Sequence, residues 1–246
     1  MNYILMLRGY KRSGKDTAAA ELVNLGFERR GFADSLKDSV STEFGVPRWQ
    51  MDDPSTKEAP LMYMPVIAKD ASSIHLQSWL KGEFRTSQGK KPEGDVWYTS
   101  DGHMMVEDKT SMLSTKVYWT PRALCIFKGS ACRSVDPNHW VKTVMNSSFN
   151  DKVGMVIADW RYRSEVEAVR SIAGPNTKVI TINIDRFDTV DSTDPSERDL
   201  DGYAFDVTIT NRSTLDEFLA KVKGFGNNLI REVKHGTSTE EPGFGC

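Results

Sequence analysis

The chain has 246 residues, 39% hydrophobic and 27% charged, with a net charge of −2 at neutral pH. This near-neutral charge argues against a broad positively charged surface that binds nucleic acid or an anionic membrane. The first seven residues are too short for a signal peptide and no apolar run reaches the roughly 18 residues of a membrane span, so we expect a cytoplasmic protein that binds neither membrane nor nucleic acid.

The amino-terminal segment has the pattern of a strand, a phosphate-binding loop and a helix. Residues 3–7 are apolar, and glycines follow at positions 9 and 14. Glycines let the backbone approach a polyphosphate, amides at the start of the next helix point at the anion, and Lys15 reaches the outer phosphates. The expected ATP-binding residues are Gly9, Lys11, Arg12, Ser13, Gly14, Lys15, Asp16 and Thr17.

The residue after Lys15 departs from the usual pattern of a phosphate loop. Asp16 stands where a serine or threonine hydroxyl normally contacts Mg²⁺, and Thr17 comes one position later. We interpret Asp16 as a metal residue that acts through its carboxylate or a bound water, with Thr17 as an alternative ligand. The competing interpretation is a glycine-rich turn that binds nothing.

After the loop, predicted helices and strands alternate up to residue 46, and this alternation then stops. Helices are predicted over residues 17–25 and 35–44, with a strand at 27–32 between them. Residues 47–118 lack this alternation and contain a hairpin signal at 96–106 around an Asp-Gly turn. We interpret 47–118 as an insertion that binds substrate or forms an oligomer contact.

Helix and strand patterns alternate again after the insertion. Thr120-Pro121 and Asp136-Pro137 predict two helix starts, the first helix ending near Gly129. The remaining predicted elements are strands at 154–158, 179–184 and 205–210 and helices opened by Ser164 and Ser213. This order predicts an α/β fold of the P-loop NTPase type, a parallel sheet between two helix layers. Its core comprises residues 1–46 and 119–234, with a disordered tail at 235–246.

Polar residues at the ends of the predicted parallel strands are candidates for chemistry, because ligands bind at that edge of such sheets. Asp159 ends an apolar strand and can hold Mg²⁺ or its waters, or can cap the helix that follows it. Arg161 and Arg163 follow, and a guanidinium there can grip a phosphate, with Arg161 the preferred candidate. Either arginine can also be a solvated surface charge.

Four further residues are candidates for binding an acceptor molecule. Asp34 and Lys37 follow the second strand. Asp34 can accept a hydroxyl proton, orient a sugar or base, or cap the helix predicted from Ser35. Arg122 in a first helical turn, and Arg133 in the loop expected after that helix, can clamp an acceptor phosphate or remain exposed charges.

Six segments together resemble the phage-type deoxynucleoside monophosphate kinases, a branch of the phosphate-loop kinases encoded by tailed bacteriophages. They are GYKRSGKDT from Gly9, FADSLKD from Phe32, WTPRAL from Trp119, DPNHWV from Asp136, VIADWRYRSEVEAV from Val156 and DPSE from Asp194. Members often carry histidine where this chain has Asp194, so that position is left out of the site.

The resemblance implies transfer of the γ-phosphoryl group of ATP, with Mg²⁺, to a deoxynucleoside monophosphate in the host cytoplasm. The implied catalytic residues are Lys15, Arg122, Asp159 and Arg161, and the implied metal residues are Asp16, Thr17 and Asp159. The implied acceptor residues are Asp34, Arg122 and Arg161, to which the positions of Lys37 and Arg133 and the Glu197 of the DPSE segment add three candidates.

Two other functions fit the same loop. A related kinase can use another small acceptor, such as dephospho-coenzyme A or phosphomevalonate, and a nucleotide-hydrolysing switch module needs no acceptor at all. Apolar residues of the insertion, among them Trp97, Met104 and Met105, can form a homodimer contact or fill a local core.

Overall fold

A computed structural model of the chain describes residues 2–62, 81–94, 96–99, 103–107, 114–146, 153–186 and 199–236. They form two compact units, Met1–Ala33 with Trp140–Cys246, and Asp34–His139. Residues 34–46 and 119–139, assigned to the core from the sequence, belong to the second unit in this division. Nearly all of the predicted tail lies outside the described residues.

The described helices and strands follow the alternation expected at both ends of the chain. In chain order they are β1 (Asn2–Arg8), α1 (Lys15–Asn24), β2 (Glu28–Arg30), α2 (Phe32–Phe44), α3 (Arg48–Asp52), a 3₁₀ turn (Lys81–Glu83), β3 (Arg85–Thr86), β4 (Val96–Tyr98), β5 (Met104–Glu107), β6 (Ser114–Tyr118), α4 (Pro121–Val135), α5 (His139–Met145), β7 (Gly154–Ile157), α6 (Arg163–Ile172), β8 (Thr177–Asp185), β9 (Val207–Thr210) and α7 (Leu215–Gly236). No helix among these residues is long and apolar enough to cross a membrane.

The first unit is built on a five-stranded parallel sheet in the order β2-β7-β1-β8-β9. All five strands coincide with strands predicted from the sequence, so the α/β class with a parallel sheet is confirmed. β1 and β7 approach closely at Gly154, where an added Cβ would lie 2.0 Å from the carbonyl oxygen of Tyr3. The strand that carries the loop therefore lies beside the strand that leads to Asp159.

Side chains of β1 are buried on both faces of the sheet. Tyr3, Leu5 and Leu7 pack in one cluster with Leu22 of α1 and Phe218 of α7. The intervening residues of the strand point to the opposite face and are also fully buried. Burial on both faces explains why this strand is an unbroken apolar run.

The second unit contains a four-stranded antiparallel sheet in the order β3-β6-β5-β4. Val96 pairs with Val106, so the predicted hairpin is confirmed, although its Asp-Gly turn lies outside the described residues. Met104 is buried in the core of this unit, whereas Trp97 is 37% exposed. Trp119 packs edge-on against Phe84 with ring centroids 5.0 Å apart.

The predicted end of α4 and the predicted start of α2 were wrong. α4 continues past Gly129 to Val135, because this glycine packs against Leu36 rather than ending the helix; an added Cβ would lie 3.3 Å from the Leu36 side chain. Arg133 consequently lies in the last helical turn and not in a loop. α2 begins at Phe32, so Asp34 lies inside its first turn instead of capping a helix at Ser35.

The predicted caps of α6 and α7 are also shifted. α6 begins at Arg163, and the carboxylate of Glu165 accepts the backbone amide of Tyr162, so Ser164 is not the cap. α7 begins after Thr214, whose hydroxyl accepts the amide of Glu217 at 3.3 Å, in place of the predicted Ser213. These shifts are one or two residues long and leave the order of the elements intact.

Candidate functional site

The loop between β1 and α1 has a conformation that requires both of its glycines. Gly14 has φ of +100°, and a Cβ there would lie 2.6 Å from the side-chain nitrogen of Asn211. A Cβ on Gly9 would lie 2.2 Å from the Ser13 hydroxyl. Arg12 also has positive φ, 68°, which costs a residue with a side chain about 1–2 kcal/mol. Strain of this kind is typical of ligand-binding loops.

Residues at the ends of β8 and β9 hold the loop in place. The side chain of Asn211 donates a 2.8 Å hydrogen bond to the carbonyl oxygen of Ser13. The guanidinium of Arg186 donates to the carbonyl oxygen of Arg12 at 3.2 Å. Asn211 is fixed in turn by its backbone N–H, which donates to the carbonyl oxygen of Asp185 at 2.7 Å. The sequence analysis missed Asn211, whose only local signal is its place directly after a strand.

The amino end of α1 has the features of an anion site. No side chain in the described part of the chain caps this helix, and amides in the first turn of a helix lack intrahelical partners. The Ser13 hydroxyl is buried beside it without a hydrogen-bond partner among the described residues. Lys15 lies in the first turn with its side chain 27% exposed. Unpaired donors and a lysine at one helix start favour a bound phosphate.

Asp16, the predicted metal residue, forms an ion pair in this structure. Its carboxylate lies 2.9 Å from the guanidinium of Arg29 in β2 and 3.9 Å from the Lys15 ammonium. The Asp16 side chain is 66% exposed and that of Arg29 46%. Thr17 is exposed on the same helical turn. A cation that binds Asp16 therefore competes with Arg29, a residue that had no predicted role.

Asp159 caps a helix, but not the one that follows it in the sequence, as its position had predicted. One carboxylate oxygen accepts the backbone amide of Phe32 at 3.1 Å and the other that of Ala33 at 2.7 Å. The residue thus caps the start of α2, although Asp159 itself follows β7. Asp159 also lines the cleft described next.

A cleft of about 230 Å³ opens at the carboxyl ends of β1 and β7. It brings together five predicted site residues, namely Gly9, Lys15, Asp16, Asp159 and Arg161. The other lining residues are Arg8, Ala158, Trp160 and Leu200. Within the described ranges, no group of three or more histidine, cysteine, aspartate or glutamate side chains could hold a metal ion.

Arg8 and Tyr10 form a cluster beside the cleft that the sequence analysis did not find. Both donate to one oxygen of Asp201, at 2.6 and 2.5 Å, and the Arg8 guanidinium lies 4.1 Å from the centre of the Tyr10 ring. The hydrogen bond to Asp201, together with burial, raises the pKa of the Tyr10 hydroxyl. The cluster ties both sides of Gly9 to the turn that contains Leu200.

Arg161 and Arg163 have different surroundings. Arg161 is exposed and lines the cleft. Arg163 donates to the backbone carbonyls of Asp199 and Asp201 at 2.9 Å each, and its amide donates to the Asp199 carboxylate. These bonds give Arg163 a role in fixing the turn that contains Asp199 and Asp201.

In the second unit, Asp34 and Lys37 belong to one charged cluster centred on Arg48. The Arg48 guanidinium lies 3.0 Å from the Asp34 carboxylate and also pairs with Asp38. Lys37 contacts Asp52 at 2.7 Å, and this hydrogen bond holds the pKa of the Asp52 carboxyl below its usual range. Arg48 comes from a segment without regular periodicity and was missed.

The remaining acceptor candidates are dispersed. Arg122 donates through Nε to Glu83 at 3.0 Å, whereas Arg133 is exposed in the last turn of α4. Glu197 and the rest of the DPSE segment lie outside the described residues. The candidates of the second unit therefore occupy separate positions, in α2 and at the two ends of α4.

A scan of the sequence against models of known protein families found no match, and a search of curated proteins found none either.

Proposed function

We propose that the chain is an ATP-dependent kinase that phosphorylates deoxynucleoside monophosphates. The observation that carries the proposal is the cleft lined by Lys15, Asp16, Asp159 and Arg161 next to the uncapped start of α1. A lysine and an arginine there can neutralise phosphate oxygens, and two carboxylates can hold a metal or its waters. Phosphoryl transfer requires mainly such alignment and charge neutralisation.

The strand order supports a P-loop NTPase-type fold of three layers. The loop follows β1, and the carboxylate of Asp159 follows the neighbouring strand β7. Because β1 and β7 are parallel neighbours, the loop and Asp159 lie at the same edge of the sheet. This is the edge at which ligands bind in sheets of this kind. On this proposal the loop amides and the buried Ser13 hydroxyl surround the phosphates of ATP.

The carboxylates of the cleft fit Mg²⁺, which binds proteins through few carboxylates and keeps waters and substrate phosphates as its other ligands. Asp16 and Asp159 would hold it, with Thr17 as an additional oxygen donor. Mg²⁺ bound there would neutralise charge on the transferred phosphoryl group. Lys15 and Arg161 add the fixed positive charges of the protein itself.

The resemblance to deoxynucleoside monophosphate kinases supports the choice of acceptor. It implies acceptor binding by Asp34, Arg122 and Arg161, and Lys37, Arg133 and Glu197 are further candidates. Asp34 and Lys37 belong to the charged cluster around Arg48. A cytoplasmic location and a homodimer formed through the second unit are parts of the same proposal. Light scattering of the purified protein tests the dimer.

Incubation with ATP, Mg²⁺ and each deoxynucleoside monophosphate in turn tests the activity, with products resolved by chromatography. We expect a deoxynucleoside diphosphate from at least one acceptor, and none from the Lys15→Ala variant. A panel that includes dephospho-coenzyme A and phosphomevalonate distinguishes the other kinases. ADP formation that is equal with and without acceptors, and no phosphorylated acceptor, would support the switch module and overturn the proposal.

A further inference from the structure

Arg122 occupies an electrostatically unfavourable position in the second unit. It is the second residue of α4, and the amide end of a helix carries partial positive charge that disfavours a nearby cation. Its backbone is fixed there, since its amide donates to the carbonyl oxygen of Lys57 at 2.9 Å. The side chain nevertheless remains 46% exposed. A cation in such a place needs a neighbouring anion.

Glu83 provides that anion at one corner of the guanidinium. Its Oε2 accepts a 3.0 Å hydrogen bond from Nε of Arg122. A guanidinium has five N–H donors in a rigid planar fork, and this contact uses one of them. The two terminal Nη groups have no hydrogen-bond partner among the described residues. They are the pair of donors that grips a phosphate with two parallel hydrogen bonds.

Glu83 is itself fastened to the helix that carries Arg122. The hydroxyl of Thr120, which is fully buried, donates to the carbonyl oxygen of Glu83 at 2.9 Å. The same hydroxyl accepts the amide of Ala123 at 3.0 Å and so caps α4. One threonine therefore fixes both the start of the helix and the residue that contacts its arginine.

The neighbouring Arg85 shows what a purely structural arginine looks like in this unit. Its side chain is 5% exposed and donates to the carbonyl oxygens of Gly82 and Phe84 and to Glu58 at 2.7 Å. The hydrogen bond from Arg85 is the largest effect that lowers the pKa of the Glu58 carboxyl. The Arg85 side chain thus donates hydrogen bonds to three different residues, whereas the Arg122 side chain donates one among the described residues, through Nε.

We infer that Glu83 is a positioning residue, which holds Arg122 by Nε so that its two Nη groups receive the phosphate of the acceptor nucleotide. This inference rests on the proposed function, because the ligand is the deoxynucleoside monophosphate of that reaction. The Glu83 charge itself repels the phosphate, so the hydrogen bond and the charge act in opposite directions. Two variants separate these effects.

Calorimetric titration of the full chain with the deoxynucleoside monophosphate that it phosphorylates best provides the test. Glu83→Gln keeps an oxygen acceptor for Nε and removes the charge, so we expect its Kd to stay within about two-fold of the native value or to fall. Glu83→Ala removes the acceptor, and its Kd should rise about three- to ten-fold, the range expected when a side chain must be ordered on binding. The Kd for ATP should stay unchanged in both variants.

Glu43→Ala is the matched control, since Glu43 pairs with Lys128 of the same helix. It should leave acceptor binding unchanged. In an Arg122→Ala background, which should itself weaken binding, Glu83→Ala should cause no further weakening, since only the repulsion by its charge is left to lose. Equal or tighter acceptor binding by Glu83→Ala, or an equal loss in the Arg122→Ala background, would overturn the inference alone. Failure of the native chain to bind or phosphorylate any acceptor would overturn the proposed function and the inference together.

Discussion

The carboxylate of Asp159 accepts a 2.7 Å hydrogen bond from the backbone amide of Ala33, although 126 residues separate the two. Its second oxygen accepts the amide of Phe32, so a residue at the end of β7 caps α2. Asp159 also lines the cleft. It therefore has a helix-capping role that the hydrogen bonds show, and on the proposed function it has a second role in holding Mg²⁺ or its waters.

Replacement of Asp159 should separate these two roles. Asp159→Ala loses a helix cap worth about 1–2 kcal/mol, which lowers the midpoint of thermal unfolding by a few degrees. Asp159→Asn keeps one accepting oxygen and should unfold closer to the native midpoint. Both variants should lose kinase activity by about 100-fold or more, because the amide lacks the charge that binds Mg²⁺.

The control for this experiment is Thr214→Ala, which removes the cap of α7. We expect it to lower the unfolding midpoint by a similar amount while kinase activity is retained. Activity losses that follow the loss of stability across all three variants would show that Asp159 has only a structural role.

The ion pair between Asp16 and Arg29 predicts competition with Mg²⁺. Both side chains are about half exposed or more, so the pair is worth at most about 1 kcal/mol. Arg29→Ala should consequently lower the Mg²⁺ concentration for half-maximal activity, by up to about five-fold, while Asp16→Ala should raise it. Arg170→Ala, which breaks a similarly exposed pair with Asp206, should leave it unchanged. A higher Mg²⁺ requirement in Arg29→Ala would mean that the arginine assists the site.

Lys15 should be essential for turnover and unimportant for folding. It lies partly exposed at the uncapped start of α1, so its removal deletes a charge that faces the cleft without opening the core. Lys15→Ala should lower kcat/KM by about 100-fold or more with an unchanged unfolding midpoint. Lys223→Ala, on the exposed side of α7, is the matched control. Normal activity of Lys15→Ala would exclude the loop as the phosphate site.

The sequence predicted the local features of the site because they are encoded by neighbouring residues. The apolar strand, Gly9, Gly14 and Lys15 are adjacent, and Asp159 directly follows an unbroken apolar run. Parallel strands then bring these groups to one edge without further information. The five strands of the sheet were predicted for the same reason.

Contacts between distant segments could not be predicted in this way. The cap that Asp159 provides to Ala33 depends on the pairing of β2 with β7, which no local pattern specifies. Glycine is common at the ends of helices, but Gly129 packs against Leu36 and lies in the helix interior. Arg48 was missed because tertiary packing brings it next to Asp34 and Asp38 of another helix.

The contact between Asp206 and Thr181 predicts a pH dependence of stability. Burial is the largest single effect and raises the pKa of Asp206. Hydrogen bonds from the amide and hydroxyl of Thr181, at 2.8 and 2.7 Å, act together with the charge of Arg170 to hold this pKa below its usual range. The stabilisation is present above the unfolded-state pKa of about 3.9 and is lost as pH falls through the lower folded-state value.

The unfolding midpoint should therefore fall on acidification more steeply in the native protein than in Asp206→Asn. The difference between the two should be constant above about pH 5 and shrink below about pH 4. Glu167→Gln, which changes an exposed carboxylate of α6, is the control and should run parallel to the native curve. A constant difference down to pH 3 would show that Asp206 does not contribute through its charge.

Trp160 should report nucleotide binding through its fluorescence. It lines the cleft between Asp159 and Arg161, so a bound triphosphate changes its surroundings. A phenylalanine in place of Trp160 can keep the edge-on packing against Tyr203. The substitution breaks no hydrogen bond of the indole N–H, because this group has no partner among the described residues. Trp160→Phe should bind ATP by calorimetry yet lose most of the ATP-dependent fluorescence change. The exposed Trp49 gives the control, since Trp49→Phe should retain that change. An undiminished change in Trp160→Phe would place the bound nucleotide away from this cleft.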